Sequence, residues 1–318
     1  MTRKLYSTLT PIAAVWVATM LVPAPAQAQL WTWTKDQMLE YTKAWTGDRF
    51  PDGRPKVPDS ILERARGLSQ EEILISWGAA GGGDRRGGGG GGRGNPYSQY
   101  EDGWQVLHPG TKMVGRAFTV AFMPARQDLD SVVTAKARDK GVQMMNNQYA
   151  IDMLQPGDVL VVDLFGKKEG GTIVGDNLFY YVMKATHSGG LVVDGAIRDL
   201  EGIAEMPMPA YFRHSHPSPI GGVTLSAVNV PVRIGNVTVM PGDLVVGDRE
   251  GVAFIPPSLA QQIMDGADTL HVHDEWTRKK FDEGKYKSSE IYGSPHDPAL
   301  RKEYDEYLKK RLEEIRQK

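Results

Sequence analysis

The chain has 318 residues, 37 Lys and Arg against 39 Asp and Glu, 41% hydrophobic residues and no cysteine. This is globular composition, long enough for one large domain or two modest ones, and it excludes disordered and collagen-like classes. A formal net charge of -2 argues against a nucleic-acid-binding surface spread over the molecule, and the absence of cysteine removes disulfides, thiolate zinc sites and thiol catalysis.

Arg3 and Lys4 precede an uncharged apolar stretch, residues 11–22, and Ala26 and Ala28 then form a small-x-small pattern. A basic start, a short apolar core and such a site predict a Sec-type signal peptide over 1–28, cleaved after Ala28. The stretch is short for a membrane span. The expected mature protein is exported, periplasmic or secreted, with no membrane attachment after cleavage.

Residues 29–56, rich in Trp, Pro and charge, predict a short helix and an extended N-terminal arm. Ser60 with Glu63 offers a capping box for a helix through ILERARGL. Residues 79–95 follow, in which ten glycines between positions 79 and 94 preclude cheap helix or strand. No Lys-Ser or Lys-Thr pair follows, so this stretch predicts a flexible surface insertion rather than a phosphate loop. Arg85, Arg86 and Arg93 offer at most a weak anion contact.

From Val114 the texture becomes α/β. Strands are expected over 115–122, 157–166 and 191–197, helices over 131–140 and 177–186, and a run of short strands over 230–257. The apolar runs 159–162 and 191–193 suit strands buried on both faces. Pro156-Gly157-Asp158 and Pro241-Gly242-Asp243 each feed such a run, either as recurring turn chemistry or as a sheet built from two similar halves. Asp297-Pro298 opens a terminal helix with Tyr304, Leu308, Leu312 and Ile315 at helical spacing, a docking arm spanning 271–318.

The residues with most chemical content are Gly175-Asp176-Asn177 and, one helix and one strand later, Arg198-Asp199. Neighbours on a regular strand face opposite ways, so Arg198 and Asp199 share a site only where the strand has ended, and Gly195 marks that break. A glycine opening the next helix lets backbone N–H groups face a carboxylate. Arginine binds an oxyanion bidentately, and one or two carboxylates suffice for Mg²⁺, which keeps several waters. On spacing alone the pair also reads as a structural surface ion pair.

Residues 57–69 (VPDSILERARGLS), 114–120, 156–163, 190–199 and 229–256 together resemble the RraA-like family. That family includes class II 4-hydroxy-4-methyl-2-oxoglutarate and 4-carboxy-4-hydroxy-2-oxoadipate aldolases and a regulator of RNase E. The resemblance implies an α/β fold, the RraA-like swivelling β/β/α sandwich, over 57–270, here with N- and C-terminal helical arms. It implies a Mg²⁺- or Mn²⁺-dependent lyase, an aldolase or decarboxylase that cleaves a pyruvate-containing 4-hydroxy-2-oxo acid through a metal-stabilised enolate. Asp199 would ligate the metal, Arg198 would contact pyruvate and its enolate, and Asp176, or Asn177 in its place, would polarise metal-bound water. The backbone of Gly175, Asp176, Asn177 and Leu178 would hold the pyruvate carboxylate.

A further acid would come from the C-terminal helix of a neighbouring subunit in a homotrimer or dimer of trimers. Glu275 matches best in position and Asp274 less well. The implied partner is a small keto acid, with no nucleic acid. The alternatives are a non-catalytic RraA-like binding or regulatory protein, or an enolate-forming lyase for an exported sugar acid. The intact Arg198-Asp199 pair, and export away from a cytoplasmic ribonuclease, count against the regulatory branch. The Gly-rich insertion, both arms and RHSHPSPIGG (213–222) depart from the short aldolase pattern. His214 and His216 read as a polar surface loop sooner than as a second metal pair, and His187, His271 and His273 as surface or helix-end residues.

Overall fold

The computed structural model describes residues 32–80, 96–139, 146–187 and 189–317. The expected signal peptide and nearly all of the Gly-rich insertion lie outside them. In chain order the elements begin with α1 (Lys35–Tyr41), α2 (Asp59–Arg66) and α3 (Gln70–Ala80). A 3-10 turn, Pro96–Gln99, leads to β1 (Tyr100–Glu101), β2 (Gln105–Leu107) and β3 (Met113–Pro124). Next come α4 (Gln127–Asp139), α5 (Asn147–Ile151), β4 (Asp158–Asp163), α6 (Asp176–Thr186), β5 (Leu191–Ile197), α7 (Leu200–Ile203), β6 (Ala210–Ser215) and β7 (Val223–Val228). The chain closes with β8 (Val232–Ile234), β9 (Val237–Val239), β10 (Leu244–Gly247), β11 (Val252–Ile255), α8 (Pro257–Asp282), α9 (Ser288–Ile291) and α10 (Pro298–Arg316).

A curled mixed sheet runs β1-β11-β10-β3-β4-β5-β6-β2, and β7 pairs with the far half of β3. Strands β3 to β6 are mutually parallel, and β10 and β11 fold back antiparallel beside β3. Alternation along the strands sorts the core into layers. Phe118, Val120, Leu160, Val162, Leu191 and Val193 pack with Phe179 and Val182 of α6. Val114, Leu244, Val246, Ala253 and Ile255 lie in one apolar cluster with α2, α3 and α8. The opposite sheet face, including Met113, Val159, Val161, Val192 and Phe254, closes on the β8–β9 hairpin.

The Pro-Gly-Asp echo is a local symmetry about β3. Gly157 and Gly242 both take positive φ (81° and 86°), a region open to glycine at little cost. In each turn the aspartate Oδ2 accepts the N–H three residues back, from Gln155 to Asp158 and from Met240 to Asp243. The strands that follow, β4 and β10, flank β3 on its two sides.

Several local expectations change. Ser60 is inside α2, where Pro58 is the N-cap with no side-chain bond, so its box with Glu63 does not form. The reciprocal box occurs at α3 instead, between Ser69 and Glu72. The expected strand over 157–166 stops at Asp163, because Phe165 and Gly166 turn with positive φ. Helix α4 starts at Gln127, ahead of the expected 131. His271 and His273 lie within α8, which carries the chain across 270–271 without a break. His271 Nδ1 meets Glu72 Oε1 at 2.9 Å, and His273 lies against Tyr304.

Candidate active site

The site forms where β5 ends. Thr172 bridges Ala196 in parallel, Ala196 N–H donates to Gly171 O (2.9 Å), Ile173 N–H to Ala196 O (3.1 Å) and Arg198 N–H to Val174 O (3.2 Å). The segment entering α6 therefore runs as an extra parallel rung beside the end of β5. Residues far apart in sequence, Gly175 and Asp199, become neighbours by ladder register.

The strand break ahead of the pair is real. Register between β5 and β6 shifts between Val193 and Ala196, leaving Asp194 and Gly195 as the irregular step. Asp199 then turns left-handed (φ 59°, ψ 44°) as N-cap of α7, without spending its carboxylate on a capping bond. Positive φ is uncommon for a non-glycine residue and more tolerable for Asp than for bulkier residues. The turn brings both functional groups to one side: Arg198 Nε lies 3.4 Å from Asp199 Oδ2, with the side chains 36% and 43% exposed. Their ends remain available to a ligand.

Gly175 is the N-cap of α6 and offers no side-chain cap. A Cβ there would collide with Asp199 Oδ2 and lie 2.8 Å from Arg198 Nε, so any side chain at 175 would push the pair aside. Asp176 N–H points to Asp199 Oδ2 at 3.4 Å, and Asn177 N–H donates to Asp176 Oδ1 at 2.7 Å. Helix α6 begins at this point, so the partial positive charge of its N-terminus is directed at the pair. Gly202 of α7 packs against Asp176, where a Cβ would fall 3.1 Å from the Asp176 Cβ.

The donor set suits Mg²⁺ or Mn²⁺. Asp199 is an accessible carboxylate, and such cations take one or two protein carboxylates and complete their shell with water. No group of three His, Cys, Asp or Glu side chains that could hold a metal occurs among the described residues. Asp199 would hold the ion.

Glu275 lies elsewhere in the chain. It projects from α8, where Arg311 Nη2 holds it at 3.0 Å and the Tyr307 hydroxyl donates to Oε1. The hydrogen bonds from Arg311 pull its carboxyl below the usual range. Within one chain its partners belong to α10.

The site's rim was not evident from sequence. Residues 164–171 and 216–222 are zipped together: Gly221 N–H donates to Gly170 O (2.9 Å) and Gly170 N–H to Ser218 Oγ (2.8 Å). His216 N–H continues the ladder to Ile197 O (3.1 Å), while its Nδ1 takes the Ser218 N–H (3.2 Å). The glycines at 166, 170, 221 and 222 were the available signal. Below the rim, Arg213 joins Asp194 (3.0 Å) to Glu101 and stacks 3.8 Å over Trp104, and burial pushes the Asp163 carboxyl up.

The RraA-like family model, described as Aldolase/RraA, matches residues 93–254, a span that contains every one of these groups except Glu275 and its α10 partners. The chain belongs to the RraA-like family. A relative from Halalkalibacterium halodurans, provisionally named 4-hydroxy-4-methyl-2-oxoglutarate aldolase, is 32% identical over 120 residues, 38% of this chain and 56% of that protein. One of the same provisional name from Ectopseudomonas mendocina is 35% identical over 112 residues, 35% of this chain and 67% of that protein. The match thus spans little more than half the length of the first of these RraA-like relatives. Among solved structures, RraAS2 of Streptomyces coelicolor, described as an unusual member of the RNase ES inhibitor RraA family, superposes with TM-score 0.56. It is 29% identical, over 71% of this chain and 100% of that one. A Pseudomonas syringae protein shares the RraA-like fold at TM-score 0.54 and 23% identity, over 73% of this chain and 96% of that one.

Proposed function

We propose that this protein is a divalent-metal-dependent lyase that cleaves a pyruvate-containing 4-hydroxy-2-oxo acid to pyruvate and a second carbonyl compound. The observation that carries the reading is the junction of Arg198, Asp199 and the N-terminus of α6, which the missing side chain at Gly175 lets lie together. The aldolase names of the relatives support the same reaction class.

In this reading the substrate's carboxylate faces the N–H groups opening α6, from Gly175 to Leu178. Arg198 directs its guanidinium at the 2-oxo oxygen, where negative charge accumulates as the C3–C4 bond breaks. Asp176 Oδ1 is engaged by the Asn177 N–H, so Oδ2 takes the proton from the 4-hydroxyl as that carbon becomes a carbonyl. The enolate left behind is protonated at C3 to give pyruvate, and the proton that Asp176 took from the hydroxyl balances the one delivered. A Mg²⁺ or Mn²⁺ ion held at Asp199 would supply Lewis-acid polarisation of the oxo acid. Oxaloacetate, which loses CO₂ through the same enolate, is an expected second substrate. Glu275 would enter only from a neighbouring copy, and only if freed from Arg311.

The test measures pyruvate release from 4-hydroxy-4-methyl-2-oxoglutarate and from oxaloacetate, with Mg²⁺, with Mn²⁺ and with EDTA. Turnover that EDTA abolishes and added metal restores is expected. No metal-dependent pyruvate release, together with unchanged Mg²⁺ or Mn²⁺ binding in Asp199→Ala, would sink the reading. Export is part of the proposal and rests on the basic start, apolar stretch and Ala26–Ala28 pattern. Amino-terminal sequencing of the protein recovered from its host should begin at Gln29, and a start at Met1 would overturn it.

A further inference from the structure

On the far side of the molecule's local symmetry, the two Pro-Gly-Asp turns meet different fates. Asp158, in the first turn, is fully buried and receives Arg54 at 2.7 Å. Asp243, in the second, is 3% exposed and makes the same turn bond to Met240 N–H (2.8 Å). No cation answers it among the described residues. Where Asp158 has Arg54, Asp243 has an open cavity of about 330 Å³.

The walls of that cavity are aromatic and proline-rich. Tyr41 and Trp45 come from the N-terminal arm, Trp77 from α3, and Pro55, Pro241 and Pro256 from the turns around it. Among the described residues, Asp243 is the only Asp, Glu, Lys or Arg in the lining. Aromatic faces attract a cation through the negative potential over the ring, and the attraction strengthens when the cation is desolvated. A buried acid without a counter-ion in such a cage is matched by a ligand that brings the missing positive charge and an apolar body.

We propose that this arm pocket is a binding site for a small organic cation, a substituted ammonium whose charge pairs with Asp243 and whose alkyl or aryl groups lie against Tyr41, Trp45 and Trp77. The site is separate from the Arg198–Asp199 centre and uses an arm outside the matched family span.

Burial pushes the Asp243 carboxyl up to about 8. The charged groups on the elements around it have other engagements. Arg54 is bound to Asp158 and Arg116 to Asp59, Lys56 lies over the Phe50 ring, and Arg233 is near Asp163. Below pH 8 a bound quaternary ammonium therefore expels the Asp243 proton to solvent, leaving a carboxylate–ammonium pair. Its affinity should rise roughly thirtyfold between about pH 6.5 and pH 9, as the carboxylate fraction grows.

Titration calorimetry on the full chain with benzyltrimethylammonium, and with neutral benzyl alcohol of similar shape, tests this. The ammonium should bind saturably, with the stated pH rise and with proton release below pH 8. Asp243→Asn keeps an acceptor for the Met240 N–H and should weaken the ammonium at least tenfold and abolish its pH dependence. Trp45→Ala, on the partly exposed wall, should weaken it severalfold. The proposal is overturned if the ammonium shows no saturable binding, if benzyl alcohol binds as tightly, or if Asp243→Asn binds it as the parent does.

Discussion

Adding one methyl group at Gly175 probes the proposed catalytic centre at its narrowest point. The Cβ would meet Asp199 Oδ2 and Arg198 Nε, yet Gly175 has an extended, unstrained backbone (φ -109°). Gly175→Ala should therefore fold, with the melting temperature lowered by only a few degrees, while pyruvate release falls at least about a hundredfold through misplacement of the pair. Wild-type activity in that variant would remove Arg198 and Asp199 from the chemistry. Asp243 gives a different residue-scale prediction. Its carboxyl titrates near 8 when folded and near 3.8 when unfolded. Between about pH 4 and 8 the folded chain holds a proton that the unfolded chain has released, so stability declines as pH rises through that window and levels off above it. Asp243→Asn should flatten the decline and be the more stable protein at pH 9, by roughly a few kcal/mol in urea unfolding. The Gly175, Arg198 and Asp199 cluster was legible in sequence because a strand end, a glycine and a helix start are all local signals. The pairing of Asp158 and the solitude of Asp243 were not, since both depend on what a distant segment places opposite an identical turn.

Helices α8 and α10 form a helical hairpin with its own small core of Trp276, Ile291, Leu300 and Tyr304. The spacing of Tyr304 and Leu308 predicted a docking face, and the structure supplies the surface it docks on, within the same chain. Tyr304 packs edge-on to Trp276 (5.0 Å) and His273 (5.4 Å). Tyr304→Ala should cost about 3 kcal/mol of local stability. The loss should appear as faster hydrogen exchange across α9 and α10, with pyruvate release within about twofold of the parent, because the Arg198 centre lies on other elements. A large loss of activity without faster exchange would show that this hairpin serves the reaction directly. Strands β6 and β7 escaped the sequence reading for a physical reason: AYFRHS turns polar at Arg213, His214 and Ser215, where the strand meets the Asp194–Arg213–Glu101 network, so its apolar signal lasts only half its length. Helix α8 was expected only from the family resemblance, around Glu275, and its periodicity hides it for the opposite reason. It packs on α3 and α2 in its first half and on α10 in its second, so its polar and apolar residues follow two different faces.

At the scale of the whole molecule, the N-terminal arm is part of the core. The sequence set residues 29–56 apart because the family resemblance starts at Val57, and nothing local reveals a partner 104 positions away. The chain turns tightly at Gly53 (φ 91°), Phe50 N–H closes on Arg54 O (2.9 Å), and Arg54 enters the interior completely. There it reaches both oxygens of Asp158, donates to Ala117 O on β3, and lies 4.3 Å from the Phe50 ring centre and 5.3 Å from that of Phe118. Burial still pushes the Asp158 carboxyl up even with Arg54 beside it, which shows how exposed to desolvation cost that charge would be alone. Arg54→Met keeps the apolar stem and removes the cation, and it should lower stability at pH 7 by about 3–5 kcal/mol, the usual result of stranding one member of a buried pair. Adding Asp158→Asn should restore a substantial part, because the amide needs no counter-ion. In Arg54→Met the folded Asp158 binds its proton more tightly than the unfolded carboxyl does, so that variant should gain stability relative to wild type as pH falls from 7 to 5. Urea midpoints for the three proteins at the two pH values measure all of this. If Arg54→Met unfolds at the parent's midpoint, the arm is an appendage after all. If it collapses and the double variant recovers, the arm closes the bottom of β3 and β4 and folds as one unit with the sheet that carries the proposed active site.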